Sequence, residues 1–326
     1  MKLATLRTGE PDGRLLVVSR DLSMALDVGV IAPNLLRALE RWDEVAPLLH
    51  ALSDKLNAGM HPGAMPFEPR ECMAPLPRCF QWCDGSAFLS HRQRMDHASI
   101  TAPLPELDSV PLMYQGGSDN FLGACDDVRL PDERQDIDFE GEFGVVVDRV
   151  PMGATPAEAA RHIRLLVQLN DWSLRALGPR EMRSGFGLLQ AKPSTSFAPV
   201  AITPDELGDN WRDGRVHLDL EVEWNEQLFG RPNGREMHFS FGELIAHAAS
   251  TRRLSAGTIV GSGTVSNKVR EAGTACIAER RMIELLEQGA AATSFMRFGD
   301  RVRMRATTRD GEAPFGAIEQ RVVGAL

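Results

Sequence analysis

No apolar run in the 326-residue sequence approaches the roughly 18 residues that a membrane-spanning helix needs, which excludes a helical membrane protein. Cysteine is scarce: the five residues Cys72, Cys79, Cys83, Cys125 and Cys276 are odd in number and scattered, so they form no disulfide framework and read as reduced and cytosolic. Cys79 and Cys83 are four apart, but no second pair completes a zinc site. Excess basic charge is missing too. Against 45 Asp and Glu there are 36 Lys and Arg, a net charge of -9, which excludes a general nucleic-acid binder. The opening MKLATLRTGEPDG turns polar too soon for a secretory signal. Internal repeats and low-complexity segments are absent from the pattern. What remains is an ordinary globular composition, 43% apolar and 25% charged, in a chain long enough for one large domain or two.

The first 70 residues differ from the rest. A strand-like stretch, Leu15 to Ser19, is followed by apolar residues at helical spacing: Leu35, Leu36, Leu39 and Trp42, then Val45, Leu48, Leu49, Leu52 and Leu56. NAGMHPGAMPFEPRECMAPLPR is dense in Gly and Pro and reads as a linker, which gives a small N-terminal domain over 1–72 and a second domain over 73–326. Beyond the linker, strand patterns fall at 139–148, 216–224, 257–265, 296–308 and 314–323. TPAEAARHIRLLVQL and SFGELIAHAAS both open with helix capping boxes, Thr155 with Glu158 and Ser240 with Glu243, and both predict helices. Strands do not alternate regularly with helices, which favours an α+β, mainly β architecture over a doubly wound sheet.

Two strands carry acidic pairs two residues apart, and such pairs share a face. In LDLEVEW, Leu218, Leu220, Val222 and Trp224 form one apolar face, so Glu221 and Glu223 read as the solvated face. In FEGEFGVVVD both faces are apolar: Glu140, Glu142, Gly144 and Val146 on one, Phe143, Val145 and Val147 on the other. A strand of that kind is buried, and two buried carboxylates facing one way require a positive partner. A hard divalent cation with oxygen ligands is the simplest one; the alternative is a wet strand end. Asp171 in NDWSLR, placed at the end of an apolar helix, and Asp84 in DGSAFLSH, seven residues before His91, are further acidic candidates. GSGTVSN closes an apolar strand with a turn whose backbone N–H groups suit a carboxylate.

Taken in order, DGSAFLSH, PLMYQGGSDNF, DFEGEFGVVVD, NDWSLR, QAKPSTSFAPV, GSGTVSNK and CIAERR make the chain from about Pro75 onward resemble the fumarylacetoacetate hydrolase family, in its bacterial form with a short N-terminal domain. The resemblance implies a mixed β-sandwich roll, usually a homodimer, that binds Mg²⁺, Ca²⁺ or Mn²⁺ through four carboxylates, here Asp84, Glu140, Glu142 and Asp171. It implies that His91 and Glu279 activate water, that Lys192 and Arg175 face developing negative charge, and that Tyr114, Gly263 and Thr264 contact substrate. Ser86 and Gly178 depart from the animal members, which carry tyrosine and glutamine there.

The activity so implied is cytoplasmic, metal-dependent hydrolysis of a carbon–carbon bond in a 1,3-diketone acid. Fumarylacetoacetate, giving fumarate and acetoacetate in aromatic amino acid catabolism, is the first substrate expected. An acylpyruvate hydrolase, a 2-oxo-acid decarboxylase or hydratase, and a non-catalytic ligand-binding paralogue are the alternatives.

Overall fold

The computed structural model describes residues 1–96 and 106–325. Its architecture is α+β and mainly β, as the pattern predicts. One long sheet runs, in spatial order, through Met65–Pro66, Met24–Asp27, Arg14–Val18, Lys2–Leu6, Ala201–Ile202, Ile163–Asn170, Gly141–Val147, Ile259–Gly261, Trp82–Gly85 and Met113–Gly116, with Ser196–Phe197 added beside Ile163–Asn170. A five-stranded sheet, Gln227–Gly230, Asp219–Trp224, Arg301–Thr307, Ile318–Gly324 and Val128–Leu130, packs over one face of it.

The Gly141–Val147 strand is buried along its whole length, as its two-sided apolar pattern requires. Phe143, Val145 and Val147 enter the core between the sheets with Leu166, Leu220, Val222, Met304 and Ile318. Val146 points the other way, into a second core with Leu165, Val167, Leu3, Val17 and the helical residues Leu35, Leu39 and Leu49. The helices Leu35–Glu40 and Trp42–Asn57 thus cover the outer face of the long sheet.

One predicted helix is mostly a strand. The capping box of Thr155 and Glu158 forms as expected, but its helix ends at Ala160. Ile163–Asn170 is instead a strand antiparallel to Gly141–Val147, so Asp171 follows a strand and not a helix. Burial on both faces makes a continuous apolar run, and periodicity does not separate such a strand from a buried helix. The second capping box, Ser240 with Glu243, opens the helix Phe241–Ala248.

The second half of the Gly- and Pro-rich stretch is packed, with Phe67, Cys72, Ala74 and Leu76 buried, while Met60 in its first half is exposed. Met65–Pro66 pairs with Met24–Asp27 at the edge of the sheet, a position that tolerates proline, and Thr5 Oγ1 donates to the Pro75 carbonyl at 2.6 Å. Glu221 also differs from its reading as a solvated residue: it is only 5% exposed, because Arg231 and Arg305 (2.6 Å) close over its carboxylate. Arg305, one of the alternating arginines of Arg301–Thr307, supplies its part of that cover from the neighbouring strand, while Val302, Met304 and Ala306 are buried.

The first four strands belong to the same sheet as the later ones: Lys2 and Leu3 pair with Ile202 and Ala201. Deleting residues 1–72 would open that edge and uncover Leu165, Val167 and Ala201. The truncated chain is expected to aggregate on size-exclusion chromatography; a monodisperse soluble fragment would contradict this packing argument.

Candidate metal centre and histidine–glutamate pair

The sheet delivers its acidic residues to one end. Glu142 lies on Gly141–Val147, opposite Leu169, and Asp171 follows Asn170 on the neighbouring strand. Asp84 lies two strands away on Trp82–Gly85, opposite Tyr114. Between them runs Ile259–Gly261, pairing Gly261 with both Gly144 and Asp84. Glycine is required there: a Cβ on Gly261 would stand 2.3 Å from Asp84 Oδ1 and 2.4 Å from the Trp82 ring. The missing side chain lets carboxylates on non-adjacent strands face each other.

Asp84, Glu142 and Asp171 are all buried, and each offers an oxygen within 4.8 Å of the others. Asp171 is fully held: Oδ1 accepts from Thr195 Oγ1 at 2.8 Å, and Oδ2 accepts from Tyr114 Oη and Lys192 Nζ, both at 2.6 Å. Asp84 Oδ1 accepts from the Gly263 amide at 3.1 Å. Gly263 has φ +75°, and a Cβ there would meet the Gly85 carbonyl oxygen at 2.4 Å. The turn therefore serves Asp84 with one of its amides. Thr264 beside it is buried. Glu142 stands apart, because among the described residues neither carboxylate oxygen has a hydrogen-bond partner, although the residue is inaccessible to solvent.

Burial and the neighbouring carboxylates Asp84, Asp171 and Glu140 push the Glu142 carboxyl well above its ordinary range. Burial and the Asp171 carboxylate raise Asp84 to about 8. Such a donor set, all oxygen and short of positive charge, fits a hard divalent cation.

Glu140 behaves differently. Its carboxylate accepts from Arg175, and from Lys192 Nζ at 2.7 Å. Burial opposes its ionisation, but Arg175 and Lys192 outweigh burial and hold it below the usual carboxylate range. Lys192 is likewise held protonated: burial works against its charge, and Asp171 and Glu140 overcome it. The structure thus brings three of the four predicted ligands together and gives Glu140 to the two cations.

Asp138 is a residue the sequence reading passed over. It accepts from Arg175 Nε at 2.8 Å and from the Ile277 and Ala278 amides at 2.7 and 2.9 Å. Its carboxylate therefore caps the helix Ile277–Gln288 where the backbone donors point outward. The signal was present, since 138, 140 and 142 alternate in DFEGE.

That helix carries Glu279, fully buried, whose Oε2 lies 2.7 Å from His91 Nδ1. Its Oε1 accepts from Ser266 Oγ at 2.8 Å and from Arg94. Burial disfavours the Glu279 anion, but His91, Ser266 and Arg94 prevail and keep its carboxyl below the ordinary value. With Nδ1 committed to Glu279, His91 Nε2 is the nitrogen free to exchange a proton. Arg92, next to His91 in sequence, pairs with Asp96 at 2.8 Å.

Fold and site together define an α+β enzyme-like chain with a buried carboxylate centre beside a histidine–glutamate pair. Residues 81–323 match the fumarylacetoacetate (FAA) hydrolase C-terminal family and residues 1–78 match fumarylacetoacetase N-terminal domain 2, so the chain belongs to the fumarylacetoacetate hydrolase family. Members of the family are hydrolases or related enzymes. A 2,4-didehydro-3-deoxy-L-rhamnonate hydrolase from Sphingomonas sp. (strain SKA58) is 28% identical over 172 residues, which cover 52% of this chain and only 57% of that protein. Two solved structures align over 100% of both chains and share the fold. Maleylpyruvate hydrolase from Sphingobium sp. SYK-6, in complex with manganese (II) ion and pyruvate, has a TM-score of 0.66 at 17% identity. Fumarylacetoacetate hydrolase from Exiguobacterium antarcticum has a TM-score of 0.65 at 16% identity. Among the described residues, no helix is long and apolar enough to cross a membrane.

Two outcomes follow. Gly261→Ala should displace the Asp84 carboxylate and weaken Mn²⁺ binding at least tenfold by titration calorimetry; unchanged affinity would contradict the close-approach argument. The second concerns pH. Burial and the Asp171 carboxylate push the Asp84 carboxyl up from its ordinary 3.8 to about 8. The folded state therefore holds a proton that the unfolded state has lost, and this contribution to stability fades as pH rises from 3.8 toward 8. Without metal, the Tm should fall across that window. Metal needs the deprotonated ligand, so the Tm rise caused by Mn²⁺ should grow with pH up to about 8. A rise independent of pH would contradict it.

Proposed function

We propose that this chain is a divalent-metal-dependent hydrolase that cleaves a carbon–carbon bond of a 1,3-diketone acid, with fumarylacetoacetate the first candidate substrate. The observation that carries the reading is Glu142, buried with both oxygens unpartnered between Asp84 and Asp171, close in the fold to the His91–Glu279 pair. Asp84, Glu142 and Asp171 would hold the cation, with Glu140 the fourth carboxylate of the set. When bound, a divalent cation supplies Lewis acidity toward the oxygens of a dicarbonyl group.

The side chains account for the remaining chemistry. His91, oriented through Nδ1 by Glu279, takes a proton from water at Nε2, and the resulting hydroxide adds to one carbonyl carbon. The bond between that carbon and the neighbouring methylene breaks, and its electron pair passes to the leaving enolate. The imidazolium of His91 returns the proton to the departing methylene carbon, so that a carboxylic acid and a methyl ketone leave. Lys192 and Arg175 place fixed positive charge beside the centre and offset the negative charge that grows there. Tyr114, through its bond to Asp171, closes the edge of the centre.

A second reading, an acylpyruvate hydrolase on the same machinery, draws support from the maleylpyruvate hydrolase neighbour that holds manganese and pyruvate. The His91–Glu279 pair favours water activation, and hence hydrolysis, over decarboxylation.

Loss of the diketone chromophore should require Mg²⁺ or Mn²⁺ and should stop with chelator. His91→Ala should lower kcat by about a hundred- to ten-thousand-fold while Mn²⁺ still binds. Glu142→Gln should abolish Mn²⁺ binding without lowering the metal-free Tm, because the removed group is a buried, unpartnered acid. Turnover of an acylpyruvate alone would keep the site and change the substrate. Turnover of either compound that survives chelator, or that survives His91→Ala, would overturn the mechanism.

A further inference from the structure

Lys192 ends a loop that has almost no apolar anchorage of its own. After the short helix Gly178–Ser184, the chain turns at Gly185, with φ +75°, and at Gly187, with φ +95°. Phe186 is 98% exposed and Leu189 is 81% exposed, so neither side chain holds the loop to the core. What spans it is one carboxylate. Glu181 accepts from three consecutive amides: Leu189 N at 2.9 Å, Gln190 N at 2.8 Å and Ala191 N at 3.1 Å. Charge-assisted bonds of this kind are the strong ones, and three on one carboxylate favour its ionised form.

The next contacts lead directly into the centre. Ala191 is buried, and its carbonyl accepts from Leu174 N at 2.8 Å, one residue before Arg175. Lys192 follows at once and reaches Glu140 and Asp171. The two cations that embrace Glu140 are thus joined through a backbone segment that Glu181 fastens from outside.

We propose that Glu181 is a positioning residue that clasps residues 189–191 and so fixes Lys192 against Glu140 and Asp171. Its functional consequence rests on the reading of Lys192 as part of the reactive centre; the placement itself does not. The chain supplies an internal control, because Glu284 clasps another segment in the same manner. It accepts from Ala292 N at 2.7 Å, Thr293 N at 2.9 Å and Thr293 Oγ1 at 2.5 Å, and it has no contact with Lys192.

The test uses the full chain and needs no substrate. The sequence holds four lysines, Lys2, Lys55, Lys192 and Lys268. Brief acetic anhydride labelling, read by peptide mass spectrometry, therefore gives Lys192 acetylation relative to exposed Lys268. Glu181→Gln should raise that ratio at least fivefold and speed amide hydrogen exchange over 189–191 at least tenfold. Glu181→Asp, which keeps the charge, should fall closer to the wild-type ratio, and Glu284→Gln should match wild type. A wild-type ratio in Glu181→Gln would overturn the proposal, as would an equal rise in Glu284→Gln, which would mean general loosening. Should Glu181→Gln not fold, Glu181→Asp decides: a ratio between one and five times wild type with faster exchange at 189–191 supports the clasp, and exchange unchanged there overturns it. Because labelling does not depend on turnover, failure here leaves the proposed reaction standing, and failure of the reaction leaves this placement standing.

Discussion

Negative charge without enough positive charge to balance it is the constraint on which this structure turns. Asp84, Asp138, Glu140, Glu142 and Asp171 are buried together, and among the described residues the cations paired with them are Lys192 and Arg175. Desolvation alone costs several kcal/mol for each buried ion, so five carboxylates cannot all be ionised against two cations. The protein divides them. Glu140 and Asp171 take the cations, Asp138 takes Arg175 and the amides of a helix start, and Asp84 and Glu142 are left to hold protons in the absence of a metal. A divalent cation resolves the excess in one step, and its affinity is then linked to the release of those protons.

The sheet makes such crowding geometrically possible. Asp84 and Glu142 sit on strands separated by a third, and side chains on non-adjacent strands normally have a residue between them. Gly261 leaves that place empty. The same region connects the carboxylates to the imidazole: Arg175 bonds Glu140 and Asp138, Asp138 caps Ile277–Gln288, and that helix presents Glu279 to His91. The two parts of the site are one bonded assembly, so a change at Asp138 is felt at both.

Much of this was legible in the residues. The two-sided apolar pattern of FEGEFGVVVD identified a buried strand with carboxylates that needed a partner, and both capping boxes marked true helix starts. The family resemblance rested on segments scattered over most of the chain; of the residues it named, the structure places Tyr114, Lys192, Arg175 and Gly263 on the carboxylates and His91 on Glu279. Other features were hidden for physical reasons. Ile163–Asn170 is buried on both sides, which erases the difference between a period of 2 and a period of 3.6. Glu221 looked solvated because the arginines that cover it come from Arg231 and from a strand more than 80 residues away. Glu140 and Glu142 share a face and a spacing, yet one is held by cations and the other has no partner; only the positions of Arg175 and Lys192 separate them.

The central claim is that Asp84, Glu142 and Asp171 form a cation site and not merely an acidic cluster. Anomalous diffraction from a crystal grown with Mn²⁺ tests it most directly. The account predicts a manganese peak bonded to those three carboxylates, with Glu142 no longer unpartnered. A peak confined to the neighbouring His91, Cys276 and Glu279 group, or no peak at millimolar Mn²⁺ and pH 8, would contradict it.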